Sequence, residues 1–234
     1  MKIYRNIDQG SVDWFRLRMG IPTASCFHMI MSPKRRKMSA QHEMYICRLI
    51  AERLSNEVGQ SISGIENMER GKELEPHAVK RFEIVNEVQT APVSFIKTDD
   101  EAMGCSPDRV IWGSDETSIA QMLEIKSPTL PVHLKYHLFG LGDAYACQVQ
   151  GQMLIAETDE SIFYSYRDGD PAFTLITHRD EKFVADLSAC LRQFCDKLHE
   201  MHELAQRIGD WKRFADIVMP VEKEYDPDDL AADE

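Results

Sequence analysis

The stretch Gly104–Ser127, which reads GCSPDRVIWGSDETSIAQMLEIKS, decides the fold of this chain. Two runs rich in apolar and β-branched residues, Arg109–Trp112 and Gln121–Lys126, flank the polar, turn-prone segment Gly113–Ser118. Apolar runs of this kind around a polar turn are typical of neighbouring strands. The stretch therefore predicts a β-hairpin with a polar loop.

The second predicted strand has one polar and one apolar face. Successive side chains of a strand point to opposite faces, so Glu124 and Lys126 share one face while Leu123 and Ile125 point to the other. If the hairpin brings Asp108 alongside the polar face, two carboxylates and one ammonium group converge there. A divalent cation would satisfy the carboxylates of such a cluster.

Phosphodiester hydrolysis is a reaction that uses these residue types together. Mg²⁺ is commonly held by one or two carboxylates and the substrate phosphate, and a neighbouring lysine can orient or deprotonate the attacking water. The alternative is a surface ion pair between Glu124 and Lys126, with Asp108 as a turn residue after Pro107. The pattern alone leaves both interpretations open.

Length and charge restrict the class of protein. The chain has 234 residues, which suits one α/β domain, and its net charge of −12 argues against nucleic-acid binding over the whole surface. Any DNA contact would need a local basic patch. The six cysteines contain no CxxC pair, which fits a reducing compartment. Without a signal-like start or an apolar run of transmembrane length, we expect a cytoplasmic protein that does not contact a membrane.

Periodicity predicts the remaining elements around the hairpin. We expect one domain over residues 1–220 and an acidic tail over residues 221–234 that is mobile or docks on a basic partner. The segment Leu130–Leu141 is expected to be irregular. The predicted helices are Ala40–Asn56, Asn67–Glu87, Asp143–Glu157 and Arg179–Ile208, and the further predicted strands are Pro92–Lys97, Ser161–Arg167 and Ala172–His178.

Two basic features lie near the start of the chain. A short predicted helix after Thr23 offers a capped N-terminus, where Arg16, Arg18 and the Ser25 hydroxyl could complete a phosphate site. The alternative is an ordinary capped helix with solvated arginines. The loop Pro33–Lys37, with sequence PKRRK, is a dense positive cluster in an acidic chain and could contact a DNA backbone.

Two predicted helices carry polar residues that could reach the hairpin. Glu75 lies beside the apolar stripe of the helix Asn67–Glu87, where it could be an extra ligand or a solvated side chain. Tyr145, Gln148 and Gln152 share one helix face. They could touch a phosphate or a metal-bound water, although spacing alone favours a polar outer face.

Five motifs follow one another along the chain, namely WFRLRMGIPTAS, RGKELEPHA, GCSPD, LEIKS and YACQVQ. Together, and in this order, they resemble a known family, the lambda exonuclease and YqaJ viral recombinase branch of the PD-(D/E)xK nucleases. The resemblance spans most of the chain, and several motifs in one order are far more specific than any single motif. It implies an α/β fold with a restriction-endonuclease-like core, in which helices flank a central mixed sheet.

The resemblance implies an activity and a set of site residues. Family members degrade one strand of linear double-stranded DNA from a 5′ end to mononucleotides and leave 3′ overhangs for recombination by single-strand annealing. The resemblance implies that Asp108 and Glu124 bind Mg²⁺, or Mn²⁺ as a substitute, with the backbone carbonyl of Ile125 nearby. It also implies that Lys126 positions or activates the attacking water. Glu75 matches the family's helix carboxylate, Tyr145 and Gln148 its downstream motif, and Arg18 and Ser25 its pocket for a 5′-terminal phosphate. We expect Ser106, Arg35 and Arg36 as further DNA contacts.

The resemblance also implies partners. Family members form ring-shaped trimers through which DNA threads, and they work beside a single-strand annealing protein. A ring would fit the acidic composition, because only its channel need be positive. We expect the gene to belong to a phage or prophage. Two other functions stay open, namely a structure- or sequence-specific endonuclease on the same core and a catalytically idle DNA-binding module.

Overall fold

The computed structural model describes residues 1–55 and 65–208. The helices are α1 (Val12–Arg18), α2 (His42–Ser55), α3 (Ile65–Asn86), α4 (Leu130–Phe139), α5 (Asp143–Ala156) and α6 (Glu181–Ile208), with a 3₁₀ helix at Ala24–Met29. The strands are β1 (Lys2–Tyr4), β2 (Met31–Ser32), β3 (Lys37–Met38), β4 (Phe95–Lys97), β5 (Gly104–Cys105), β6 (Arg109–Trp112), β7 (Ile119–Lys126), β8 (Glu160–Ser165) and β9 (Phe173–His178).

The predicted hairpin forms half of the central sheet. β6 and β7 pair antiparallel, β7 and β8 pair parallel, and β8 and β9 pair antiparallel, in the order β6-β7-β8-β9. The helices α4 and α5 make the crossover that a parallel pair requires. A second sheet has the order β1-β4-β5, and β2 and β3 form a short hairpin. The predicted fold class, an α/β fold with a mixed sheet flanked by helices, is confirmed.

The two faces of the central sheet bury different cores. On one face, Leu123 and Ile125 of β7 join Ile162 and Tyr164 of β8 in an apolar cluster with Phe82 of α3. On the other face, Val110 and Met122 belong to a larger core that includes residues of α2, α5 and α6. The strand alternation predicted for β7 therefore separates two layers of the protein.

One glycine lets α5 approach the N-terminal part of the chain. A Cβ at Gly151 would overlap the ring of Phe27 in the 3₁₀ helix. Because only glycine fits this contact, α5 lies directly against the 3₁₀ helix and also contacts β7. The segment that carries Arg18 and Ser25 and the helix that carries Gln148 are thereby held on the same side of the sheet as Glu124.

One local prediction is wrong, and one short helix was not predicted. The segment expected to be irregular is the helix α4, which begins after Thr129 with a proline in its first turn and ends at Gly140, whose φ is +71°. These are standard start and stop signals, and the mixed His/Tyr composition obscured them. Helix α1 was not predicted, although Ser11 accepts a hydrogen bond from the Trp14 amide as its N-cap.

The predicted acidic tail, residues 221–234, lies outside the described residues. In the ranges 1–55 and 65–208, no helix is both long enough and apolar enough to cross a membrane.

Candidate active site

The register of the hairpin places Asp108 beside the polar face of β7. Arg109 pairs with Leu123, so the same register continued by one residue sets Asp108 opposite Glu124. Asp108 Oδ2 accepts a hydrogen bond of 2.6 Å from the backbone N–H of Ile125 and lies 3.7 Å from Lys126 Nζ. The sheet itself therefore brings the three predicted side chains together.

Glu124 is the most enclosed member of this group, with 5% of its surface exposed. Its Oε1 accepts hydrogen bonds from Lys126 Nζ at 2.6 Å and from Gln148 Nε2 at 3.0 Å. Its Oε2 accepts a hydrogen bond of 3.1 Å from Gln152 Nε2. Each oxygen of this carboxylate thus has a partner from β7 or α5, and the carboxylate is held in one orientation.

The pKa shifts of the cluster show an excess of buried negative charge. Burial, together with the Glu124 and Glu75 carboxylates, raises the pKa of Asp108 to about 7 against the lowering effects of Lys126 and of the Ile125 N–H. Burial alone would lower the pKa of Lys126, but the Glu124 and Asp108 carboxylates outweigh it and raise that pKa above its ordinary value. The lysine is therefore an ammonium group at neutral pH and a hydrogen-bond donor.

The other two predicted helix residues also lie near the cluster. Glu75 of α3 is close enough for its charge to raise the pKa of Asp108. Tyr145 of α5 acts electrostatically on Lys126, and its hydroxyl lies 3.3 Å from the hydroxyl of Tyr136. The site is consequently built from two strands and two helices that are distant in sequence.

The donor set fits a hard divalent cation that also binds a substrate. In the part of the chain that the structure describes, no three His, Cys, Asp or Glu side chains form a group able to hold a metal ion by themselves. Mg²⁺ usually needs only one or two carboxylates, because waters and substrate phosphates complete its shell. The carboxylates of Asp108 and Glu124, with Glu75 nearby, fit that requirement. For Ile125 the structure shows its N–H donating to Asp108, and a role for its carbonyl stays a prediction.

Arg18 belongs to the predicted phosphate site and lies beside β5, the strand that leads to Asp108. Its Nη1 donates a hydrogen bond of 3.3 Å to Ser106 Oγ, and its guanidinium stacks 4.1 Å from the centre of the Trp14 ring. Among the described residues it forms no salt bridge. Burial lowers the pKa of Arg18, although an arginine remains protonated at any physiological pH.

Backbone contacts bring Ser25 to the same region. Thr23 pairs with Gly104 as a parallel bridge, and the Gly104 N–H donates to the carbonyl of Pro22. Ser25 is exposed, and its Oγ lies 3.4 Å from Thr23 Oγ1. Arg18, Ser25 and Ser106 therefore surround one region at the edge of β5. Thr23 takes the N-cap position of the 3₁₀ helix, but its side chain makes no cap hydrogen bond.

The basic loop forms the tip of the β2–β3 hairpin, and its charged side chains have different partners. Lys34 pairs with Asp143, the first residue of α5, at 3.1 Å. Arg36 pairs with Asp180 at 3.2 Å and lies over the Phe183 ring, so its guanidinium is engaged at the start of α6. Arg35 is exposed and has no ion pair in the described part of the chain. Arg16 is also exposed and pairs with Asp13 on its own helix.

Gln152 shares a predicted helix face with Tyr145 and Gln148, but the sequence did not predict that it would be buried against Glu124. The pattern favoured a polar outer face for α5, yet Gln148 and Gln152 both point at Glu124, and Gln152 is 2% exposed. The helix reads DAYACQVQGQMLIA, in which small and apolar residues surround the glutamines. Such surroundings are a signal for buried amides with specific partners.

A family model described as the YqaJ-like viral recombinase domain matches residues 13–159. No curated protein matches the chain. The alkaline exonuclease LHK-Exo of Laribacter hongkongensis is 28% identical, over 84% of this chain and 97% of its own, with a TM-score of 0.72.

Two further solved structures are similar. LHK-Exo in complex with dAMP matches with the same identity, coverage and TM-score. A phage-related exonuclease from Haemophilus somnus 129PT is 13% identical, with a TM-score of 0.58, over 83% of this chain and 99% of its own. At that identity the likeness concerns the fold.

Proposed function

Because this chain belongs to the YqaJ-like viral recombinase family, we propose that it is a DNA exonuclease that hydrolyses phosphodiester bonds with a divalent cation. The observation that carries the proposal is the convergence of Asp108, Glu124 and Lys126 on one polar face of the sheet. The likeness to LHK-Exo, an alkaline exonuclease, supports the same reaction class. The catalytic roles of these residues are part of the proposal.

Asp108 and Glu124 would hold the cation, with Glu75 as an additional carboxylate. When bound, Mg²⁺ or Mn²⁺ would polarise the scissile phosphate and lower the pKa of a water molecule. The protein supplies the rigid frame for this chemistry. Gln148 and the Ile125 N–H each donate to one of the two carboxylates, so both are oriented before substrate arrives.

Lys126 acts as a fixed positive charge in this scheme. The raised pKa keeps its Nζ protonated, so it donates to Glu124 and can donate to a water or to a phosphate oxygen at the same time. Charge that develops on the phosphate during attack would be stabilised by this ammonium group. Tyr145 lies near it and can orient the same water or phosphate.

Arg18, Ser25 and Ser106 would receive the 5′-terminal phosphate. Arg18 supports this role because it is a partly buried guanidinium that has no carboxylate partner among the described residues. A phosphate provides the charge and the acceptor oxygens that such a group lacks. Arg35 and Arg36 would contact the DNA backbone farther along, although Arg36 would first have to leave Asp180.

The finer features of the activity follow from the resemblance to lambda exonuclease. We propose that digestion proceeds from the 5′ end of one strand of linear double-stranded DNA, that it releases mononucleotides, and that the remaining 3′ overhang is used for recombination by single-strand annealing. We also propose a homotrimeric ring, a single-strand annealing protein as partner, and a phage or prophage origin.

The decisive experiment follows nucleotide release from end-labelled linear duplex in Mg²⁺ and in chelator. We expect mononucleotides from the 5′-ended strand in Mg²⁺ and no product in chelator. Asp108→Ala should abolish release, because it removes a carboxylate from the cation site. Full digestion by Asp108→Ala would refute the assignment of the site. Cutting of closed circular DNA would instead indicate an endonuclease, and metal-independent binding without product an idle binding module.

A second arm of the same assay tests the proposed phosphate pocket. Arg18→Met should slow digestion of 5′-phosphorylated ends roughly tenfold more than digestion of 5′-hydroxyl ends, since a charge-assisted hydrogen bond to phosphate is lost. Arg16→Met is the matched control, because Arg16 is exposed on the same helix and, within the described ranges, its ion pair is a local one with Asp13. Equal slowing on both kinds of end would show that Arg18 contacts the general backbone.

A further inference from the structure

We propose that Gln152 is a positioning residue for Glu124, and that it fixes which oxygen of this carboxylate is available to the divalent cation. The inference deepens the proposed function and rests on it. Gln152 does not reach the substrate in this scheme. It acts through Glu124.

The contacts of Glu124 divide its two oxygens between two environments. Oε1 receives Lys126 and Gln148, both of which line the polar face of the site. Oε2 receives the Gln152 amide at 3.1 Å, and this pair is buried, with 2% of Gln152 and 5% of Glu124 exposed. Gln152 therefore holds Oε2 inside the protein, and Oε1 faces the polar side of the site, where a cation that binds it would take the place of the Lys126 or the Gln148 donor.

The amide oxygen of Gln152 shows that the orientation of this amide is set by Glu124. In the described ranges, Gln152 Oε1 is buried and has no hydrogen-bond partner. An unpaired buried oxygen is destabilising, and a flipped amide would place this oxygen against the Glu124 carboxylate, which accepts hydrogen bonds only. The observed orientation is favoured because it lets the amide NH₂ of Gln152 donate a hydrogen bond to the Glu124 carboxylate.

Gln150, two residues earlier on α5, shows what a structural glutamine looks like here. It is also buried, with 6% exposed, and both ends of its amide are paired with backbone. Its Nε2 donates to the His178 carbonyl at 3.0 Å, and its Oε1 accepts from the Asp180 N–H at 2.9 Å. Gln150 therefore ties α5 to the backbone that leads into α6 and not to Asp108 or Glu124, and is a matched control.

Removing the Gln152 amide should weaken cation binding. Without it, Oε2 would be buried with no donor, and the carboxylate could rotate so that both oxygens compete for Lys126 and Gln148. Groups that orient a metal ligand from behind typically change metal affinity by about ten- to a hundredfold. We expect roughly a tenfold effect here, because Gln148 and Lys126 still hold Oε1.

The test compares Gln152→Met with Gln150→Met in the full chain. Mn²⁺ binding is measured by calorimetry without DNA, and nucleotide release is measured over a range of Mg²⁺ concentrations. We expect Gln152→Met to bind Mn²⁺ roughly tenfold more weakly and to need proportionally more Mg²⁺ for half-maximal activity, with kcat largely restored at saturating Mg²⁺. Gln150→Met should lower the melting temperature and leave Mn²⁺ affinity unchanged.

The outcomes separate this inference from the function on which it rests. A wild-type chain that neither binds Mn²⁺ nor releases nucleotides would overturn the proposed function. An active wild type together with unchanged Mn²⁺ affinity in Gln152→Met would overturn only the role of Gln152. If Gln152→Met does not fold, Gln152→Asn serves instead, because its amide stops one methylene short of Glu124 yet stays polar. Wild-type Mn²⁺ affinity in that variant would equally overturn the role.

Discussion

On one face of β7, Leu123 and Ile125 pack into an apolar cluster with α3, whereas on the opposite face Glu124 and Lys126 enter a hydrogen-bonded group with α5. These residues alternate within one strand, and three of the four are buried. The apolar face buries hydrocarbon and aromatic side chains. The polar face contains two carboxylates and one ammonium group at short range, which is an unfavourable composition for a protein interior.

The apolar face of β7 contributes stability, whereas the polar face holds the groups of the proposed site at a cost in stability. Two features of the polar face are destabilising. Burial raises the pKa of Asp108, and the buried Gln152 Oε1 has no hydrogen-bond partner among the described residues. The apolar face compensates by burying large side chains against α3. The two faces should therefore respond in opposite directions when their side chains are neutralised or shortened.

The polar face is itself divided along β7. Met122 belongs to the large apolar core, and the same face becomes polar at Glu124 and Lys126, toward the carboxyl end of the strand. Because β7 and β8 run parallel, the carboxyl ends of both strands lie at this edge of the sheet. The site thus occupies the edge of a core that is otherwise apolar.

Removal of the Lys126 charge from the polar face should have the largest effect on the rate of nucleotide release. Lys126→Met should lower the rate of nucleotide release roughly 10³-fold, because an ammonium group that stabilises developing charge is lost. The assay is single-turnover digestion of linear duplex at saturating Mg²⁺. Lys97→Met is the control, because Lys97 is also a strand lysine paired with a carboxylate, Glu101, but lies in β4. Comparable loss in both variants would remove the special role of Lys126.

Shortening the apolar face should instead reduce stability. Leu123→Ala should lower the free energy of unfolding by about 2–5 kcal/mol, since a fully buried leucine leaves a cavity against α3. Urea denaturation followed by circular dichroism measures this change. The rate of nucleotide release per folded molecule should stay close to that of the wild type. A large fall in that rate with little loss of stability would mean that the two faces are not functionally separate.

The smallest expected effect is a gain of stability in the metal-free protein. The pKa of Asp108 is raised in the folded state to about 7, above the value of roughly 3.9 expected when the chain is unfolded. Between these values the unfolded chain releases a proton that the folded chain keeps, so this carboxyl lowers stability as the pH rises from about 4 to 7. Asp108→Asn should therefore melt a few degrees higher than the wild type at pH 8 in chelator, with a smaller difference at pH 5.

An aspartate in the turn of the same hairpin provides a control of opposite sign. Asp115 accepts hydrogen bonds from the N–H groups of Ser118 and Thr117, and these hydrogen bonds hold its pKa below the ordinary value. Its stabilising effect is present above pH 4 and is lost as the pH falls. Asp115→Asn should therefore melt lower than the wild type at pH 8. If both variants shift in the same direction, burial of Asp108 is not the cause.

The local pattern of the sequence contained most of the fold. The hairpin β6–β7, the strands β8 and β9 and the helices α2, α3, α5 and α6 follow from periodicity and turn residues close to the observed bounds. The helix α4 was wrongly expected to be irregular, because two histidines and a tyrosine hid the buried stripe formed by His133 and Tyr136. Both side chains point inward, because Tyr136 packs against Phe163 and His133 forms a hydrogen bond with Ser165. Both interactions are tertiary contacts.

The sequence by itself determined that Glu124 and Lys126 share a face, since strand alternation is a property of the local backbone. It did not determine the direction of the Gln148 and Gln152 side chains, and spacing alone favoured solvent. Only the tertiary structure decided this, because the close contact at Gly151 brings α5 against the 3₁₀ helix and turns both amides toward Glu124. A helix has the same periodicity whether its polar stripe meets water or a buried carboxylate, and the difference is made by the elements packed against it.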